Sequence, residues 1–221
     1  MIHLKEFEKE ADIQVDAFPN VIYVNDTKSV LYNYFPKGVF IQHVDGRVFS
    51  TSAWTEGGFA NDQANGVVVS TDAARFVIAK DNVSTSMKWA SDTSTLIDGI
   101  LTTTDATEAK TDFAGKQNTE LMLAVDTSGA GYSCANYTFP NGERGYLPAL
   151  GEWDIAYQNK DAINKAMTLI GGTTIDSTYY WSSNQYSANT AWVLGWDQGY
   201  TYNGFGKDYH RFVRAFTALS L

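Results

Sequence analysis

The order of residue patterns along this chain predicts an α+β fold. Three observations carry that expectation. Short apolar runs bounded by turn residues follow one another from Gly38. Two stretches of helical character occupy the middle. From Tyr179 onward helical periodicity disappears, and strands and long loops return. Elements segregated in this way indicate α+β.

Residues 1–35 read as a separate lead-in, and 36–221 as one ligand-binding domain. In the lead-in, Leu4, Phe7 and Ala11 have rough helical spacing in a segment too short to hold a helix alone. Asp12–Val30 alternates weakly and can supply a strand; a docked arm and an oligomer contact fit the segment equally. Val39-Phe40-Ile41 then leads through Asp45-Gly46, a hairpin signal, into Val48-Phe49-Ser50. Asn61–Asn65 reads as a loop, and Gly66–Ser70 and Phe76–Ala79 as further strands. Asp105–Val125 reads as helical, with Thr119–Val125 as its apolar end. A second helical region opens at Leu147-Pro148, with proline at an early helical position. It passes through Trp153, Ile155, Ala156 and Tyr157. Ala162, Ile163, Ala166, Met167 and Ile170 then form an amphipathic face, which Gly171-Gly172 closes as a C-terminal cap. Ala191–Leu194 and Phe212–Phe216 are the expected late strands, and the chain has no internal repeat.

Length and charge exclude several classes of function. The chain has 221 residues, enough to bury a proper core. Its net charge of −9 argues against nucleic acid or an anionic membrane as partner, since both call for a basic face. No apolar run approaches the roughly 18 residues that span a bilayer, so membrane insertion is not expected. The opening MIHLKEFEKEADIQ has neither the basic nor the apolar region of a signal peptide. The expectation is synthesis in the cytosol, with display on a phage particle or cell surface compatible with it. Cys134 is the only cysteine, so no intrachain disulfide can form; it reads as a small buried hydrophobe.

The segment Tyr179–Phe216 is rich in Trp, Tyr and Phe interleaved with Asn, Ser, Gly and Asp, and poor in aliphatic residues. That composition belongs to binding surfaces more than to interiors, because Tyr and Trp supply contact area at little entropic cost while small polar residues adapt around them. Within it, Trp181, Trp192, Phe212 and Phe216 read as scaffold. Tyr200, Tyr202, Phe205 and Tyr209, set among Gly, Asn and Asp, read as exposed, and Trp196 fits either role.

Two motifs carry a resemblance. Gly145-Tyr146-Leu147-Pro148-Ala149-Leu150-Gly151-Glu152-Trp153 is similar to the "G-[WY]-L-P-S-L-x-E-[LW]" element of bacterial C-type-lectin-fold domains. Tyr180-Trp181-Ser182-Ser183, then Ala191-Trp192 and Val213-Arg214-Ala215-Phe216, resemble that family's ending. The family includes lectin-like domains of gut bacterial surface proteins and the variable proteins of diversity-generating retroelements, and shares its fold with formylglycine-generating enzymes. The resemblance implies a C-type lectin fold: two helices on small antiparallel sheets, with C-terminal strands and loops presenting a ligand face. The lead-in matches nothing in this pattern.

Retroelement diversification is adenine-directed and acts mainly on AAY asparagine codons, which cannot become Trp, Gln or Lys. Between Leu194 and Val213 those unreachable residues are Trp196, Gln198 and Lys207, interleaved with reachable ones. The resemblance therefore implies a variable face comprising Trp196, Asp197, Tyr200, Tyr202, Asn203, Phe205, Asp208, Tyr209 and His210. Its expected ligand is a protein or glycan on a cell surface, and homo-oligomer formation would add avidity. A fixed glycan-binding or adhesion module of the same fold is the alternative.

Asp154 with Asp161, and Asp197 with Asp208, are the candidate calcium ligands, but calcium takes six to eight converging oxygens. Solvated or capping carboxylates are the better reading, so neither metal nor cofactor is expected. No Walker loop, G-x-S-x-G elbow, H-E-x-x-H or C-x-x-C is present, and His3, His43 and His210 are scattered. The expectation is a non-catalytic protein.

Overall fold

A computed structural model describes residues 13–15, 22–24, 36–176, 178–199 and 201–219. The Leu4, Phe7 and Ala11 spacing lies outside the described residues. Among those described are six α-helices and two five-stranded sheets. In the lead-in, β1 (Ile13–Val15) and β2 (Ile22–Val24) form a separate antiparallel pair.

The first large sheet joins β3 (Gly38–His43), β4 (Val48–Phe49), β5 (Ala64–Ser70), β6 (Arg75–Ile78) and β12 (Phe216–Ala218) in the order β12-β6-β5-β3-β4, all antiparallel. The Asp45-Gly46 turn forms as expected, with Gly46 at a φ of 93°. In β5 the run Val67-Val68-Val69 is buried throughout. Val67 and Val69 face Ile41, Phe76, Ile78, Trp153 and Phe216, while Val68 faces Phe40, Val77, Trp89 and Trp181. A strand covered on both faces has no polar side to alternate, and that is why this run is continuously apolar.

The second sheet joins β7 (Ser84–Met87), β8 (Tyr179–Gln185), β9 (Thr190–Gly195), β10 (Thr201–Gly206) and β11 (Arg211–Val213) in the order β10-β9-β8-β11-β7. Only the β8–β11 pairing, Phe212 opposite Tyr180, is parallel.

The helices differ from expectation at identifiable points. The first helical stretch divides into α2 (Ala106–Ala109) and α3 (Gly115–Val125). Between them, Asp112 accepts from the Ala114 N–H at 2.7 Å, from Asn118 Nδ2 at 2.9 Å and from Asn184 Nδ2 at 2.5 Å. The carboxylate thus draws the chain into a polar cluster instead of a continuous helix. The second stretch divides at Asn159 into α5 (Leu150–Gln158) and α6 (Lys160–Leu169). Pro148 stands outside α5, before its N-cap Ala149, and its carbonyl accepts from the Ser183 N–H at 2.9 Å. Gly171, at a φ of 65°, follows α6 as expected. Two helices were not anticipated: α1 (Thr51–Glu56), capped by Ser50 Oγ, and α4 (Gly129–Asn136). Asn61–Gln63, expected as loop, forms a 3₁₀ turn leading into β5.

The two motifs behind the resemblance pack on each other. Glu152 is buried; its Oε2 accepts from the Ala149 N–H at 2.7 Å and its Oε1 from the Tyr146 hydroxyl at 2.7 Å. Burial pushes this carboxyl up to about 7 although both donors favour its charged form. The Trp153 indole N–H donates to the Trp181 carbonyl at 3.1 Å, and the Leu150 N–H to Asn184 Oδ1 at 2.7 Å. Trp181 in turn donates to the Met87 carbonyl at 2.9 Å, and Trp192 to that of Thr103 at 3.0 Å. Buried indoles need such partners, so Trp181 and Trp192 are scaffold, as expected. Cys134 is a fully buried hydrophobe beside Met122 and Phe139, and burial raises its thiol far above the usual range.

Candidate ligand-binding face

The described residues singled out between Trp196 and His210 fall toward opposite ends of β10, with Tyr202 and Asn203 on the strand between them. That strand is six residues long, roughly 20 Å at about 3.3 Å per residue.

At its N-terminal end lies the turn from β9. The Trp196 backbone N–H donates to the Thr178 carbonyl at 3.0 Å. Its side chain, 3% exposed, packs edge-on against Trp153 and Tyr157, with ring centres 6.0 and 5.9 Å away. Gly199 closes the turn at a φ of 67°, lying so close to Tyr157 that a β-carbon there would run into its ring. This clasp against α5 draws the indole into the core. Trp196 is therefore corrected from a contact residue to a structural one. Asp197 and Gln198 remain exposed at the tip, and Tyr200 lies outside the described residues. Tyr202 and Asn203 stand on β10, Tyr202 opposite Val193, and the pairing register shifts before Phe205.

At the C-terminal end the side chains converge on Arg211. Its guanidinium lies 3.9 Å from the Phe205 ring centre, 5.5 Å from that of Tyr209 and 5.7 Å from that of Tyr179. Phe205 packs on Tyr179 at 4.9 Å and on Tyr209 at 6.1 Å. Tyr209 is 50% exposed, and Asp208 and His210 are exposed beside it. Arg211 Nη1 donates to the His210 carbonyl at 2.8 Å, and the His210 ring Nδ1 lies 3.1 Å from Ser86 Oγ on β7. Partial burial draws the guanidinium down from its ordinary value, yet an arginine remains charged. The structure thus brings Phe205, Asp208, Tyr209 and His210 to one end and leaves Asp197 at the other. Sequence reasoning missed Arg211 and Tyr179. The available signal was an arginine flanked by histidine and phenylalanine in an acidic chain.

Two other cations hold the platform. Lys207 is fully buried; its Nζ donates to the Thr95 carbonyl at 2.8 Å and to Gln185 Oε1 at 3.0 Å, 4.6 Å from the Trp89 ring centre. Burial lowers its ammonium to about 8. Arg214, also fully buried, donates to Asn82 Oδ1 and the Thr173 carbonyl, both at 2.9 Å.

Of the calcium candidates, Asp154 pairs with Lys110 at 2.6 Å and Asp161 sits in the first turn of α6. Asp197 and Asp208 lie at opposite ends of β10, and among the described residues no three His, Cys, Asp or Glu side chains cluster. A hollow of about 380 Å³ lies apart from this face, between α3 and β12, lined in part by Lys116, Glu120, Arg144 and Thr217.

The chain is similar in fold to a fimbrial protein from Bacteroides ovatus ATCC 8483. The TM-score is 0.60 at 15% identity, over 83% of this chain and 49% of that one. The match thus spans about half the length of the fimbrial protein. No protein-family description matches the sequence, and neither does any curated protein. None of the described helices is long and apolar enough to cross a membrane.

Proposed function

We propose that this chain is a non-catalytic adhesion module of a bacterial surface structure. Residues 36–221 form its binding unit, and a fixed contact face for a glycan or protein lies at the β10–β11 end. The observation that carries the reading is the exposed cluster of Tyr209 and His210 with half-buried Phe205, Tyr179 and Arg211. A solvent-facing aromatic group with a cation at its centre has the composition of binding hot spots. The fold likeness to a fimbrial protein supports surface display, and the packing of the two motifs on each other supports a C-type-lectin-like arrangement. The test is adherence of beads coated with the chain to epithelial cells and to a glycan array. Tyr209→Ala combined with His210→Ala removes adherence while thermal unfolding stays unchanged. Adherence equal to wild type sinks the assignment of the face.

A second reading, in which a retroelement diversifies the same face, has one observation in its favour. Trp196 and Lys207, which adenine mutagenesis of AAY codons cannot produce, are buried, whereas Asp197, Asp208, Tyr209 and His210 are exposed. Exposed Gln198 departs from that division. A template repeat differing from the 3′ end of the coding sequence only at adenines establishes this reading; its absence leaves the fixed module.

A further inference from the structure

The chemistry around Arg211 narrows the ligand class. A guanidinium has five N–H donors in a planar fork. Among the described residues, only one of those of Arg211 has a partner: Nη1 donates to the His210 carbonyl, while Nε is buried without one. No carboxylate of a described residue lies within ion-pair distance, although the chain carries a net charge of −9. Aromatic rings hold the cation in place. Its central carbon lies 3.9 Å from the Phe205 ring centre, with the Tyr179 and Tyr209 ring centres at 5.7 and 5.5 Å. This arrangement fixes the fork before any ligand arrives, which reduces the ordering cost of binding.

Resting on the reading of the β10–β11 end as the ligand face, we propose that this cluster is a subsite for a carboxylated sugar, a sialic or uronic acid at a glycan terminus. The carboxylate takes the unpartnered Nη N–H groups at the outer end of the Arg211 fork, whose planar geometry matches its two oxygens. The C–H face of the ring rests on the exposed Tyr209, and Ser86 and His210 border it as hydrogen-bonding groups. One guanidinium matches one negative charge, so a singly charged carboxylate suits it better than a phosphate monoester at about −1.5 to −2.

The experiment titrates the full chain with the methyl glycosides of N-acetylneuraminic acid, glucuronic acid and galactose, followed by saturation-transfer NMR and calorimetry. A methyl ester of each acid and an acetylated glutamate tripeptide complete the set. Binding of one or both acids is expected, weakened about tenfold or more by esterification, by Arg211→Gln and by Tyr209→Ala. The neuraminic and glucuronic arms tell the two sources of carboxylate apart. Tyr209→Ala removes a half-exposed side chain, so it guards against a variant that merely unfolds. Equal binding of galactose or of the esters overturns the acidic class but keeps a sugar face. Equal binding of the glutamate peptide overturns it in favour of a protein partner. Binding of none of these overturns the inference, and the adherence of the Tyr209/His210 double variant then decides separately whether the face itself stands.

Discussion

The two ends of β10 carry similar residues and play opposite parts. Trp196, Asp197 and Gln198 at one end and Phe205, Asp208, Tyr209 and His210 at the other share one composition, aromatics among small polar groups. At the first end α5 supplies a floor: Trp153 and Tyr157 enclose Trp196, and Gly199 lets the turn close on them. At the second end the rings pack on each other around Arg211, and Tyr209 stays half exposed. The lesson is that an aromatic among polar neighbours becomes core or contact according to what tertiary structure places beneath it.

The largest test of this contrast is truncation. Trp196→Ala costs about 3–5 kcal/mol of unfolding free energy, as expected for a buried indole, whereas Tyr209→Ala changes stability by less than about 0.5 kcal/mol. Urea denaturation of the two variants measures both, and equal losses would erase the distinction between the ends.

The core at the start of α5 responds to pH through Glu152. Its carboxyl sits at about 7 in the folded chain against 4.5 for the unperturbed group, so between those values the folded state holds the extra proton. Stability on this account falls as pH rises from 4.5 to 7, by up to about 3 kcal/mol, and is flat on either side. Glu152→Gln removes that slope. Chemical denaturation at pH 4.5, 6 and 7.5 reads it, and a wild-type slope retained in the variant contradicts the assignment.

Glycines sharpen the comparison at smaller scale. Gly199→Ala forces a side chain into a left-handed φ and against the Tyr157 ring, costing about 1–3 kcal/mol. Gly206→Ala meets first the flexible end of Asp208, which can move aside, and changes stability by less than about 0.5 kcal/mol. Thermal melts of the pair decide whether the first turn is clasped and the second open.

The smallest expected effect is that of His210→Ala. Its exposed ring has Ser86 Oγ as hydrogen-bond partner, so the melting temperature moves by no more than a degree or two for about 0.3 kcal/mol. A drop of several degrees in calorimetry makes His210 part of the scaffold.

Much of the strand framework was legible because its signals are local. Val39–Ile41, the Asp45-Gly46 turn, Gly66–Ser70 and Phe76–Ala79 all become strand and turn where the pattern puts them. Helix breaks were not legible. Asp112 interrupts Asp105–Val125 because Asn118 and Asn184 meet it, and Asn184 is 72 residues away. Helix α1 escaped notice because six residues are too few for a periodicity, even though Ser50 caps it. At the candidate face, composition pointed to the right stretch but could not sort Trp196 from Tyr209. Arg211 was passed over because its role depends on Tyr179, which lies 32 residues earlier and reaches it across the sheet.

Residue order alone was enough to set the α+β class, the short strands of the first sheet, the amphipathic α6 with its Gly171 stop, and the scaffold role of Trp181 and Trp192. Each depends on periodicity, turn chemistry or the company an indole keeps within a few residues. Folding in three dimensions settled where helices break, which end of β10 is covered, and which cation gathers the exposed rings. Those outcomes follow from contacts between distant segments, where burial of Trp196 on Trp153 and Tyr157 and the stacking of Arg211 on Phe205 outweigh local preference.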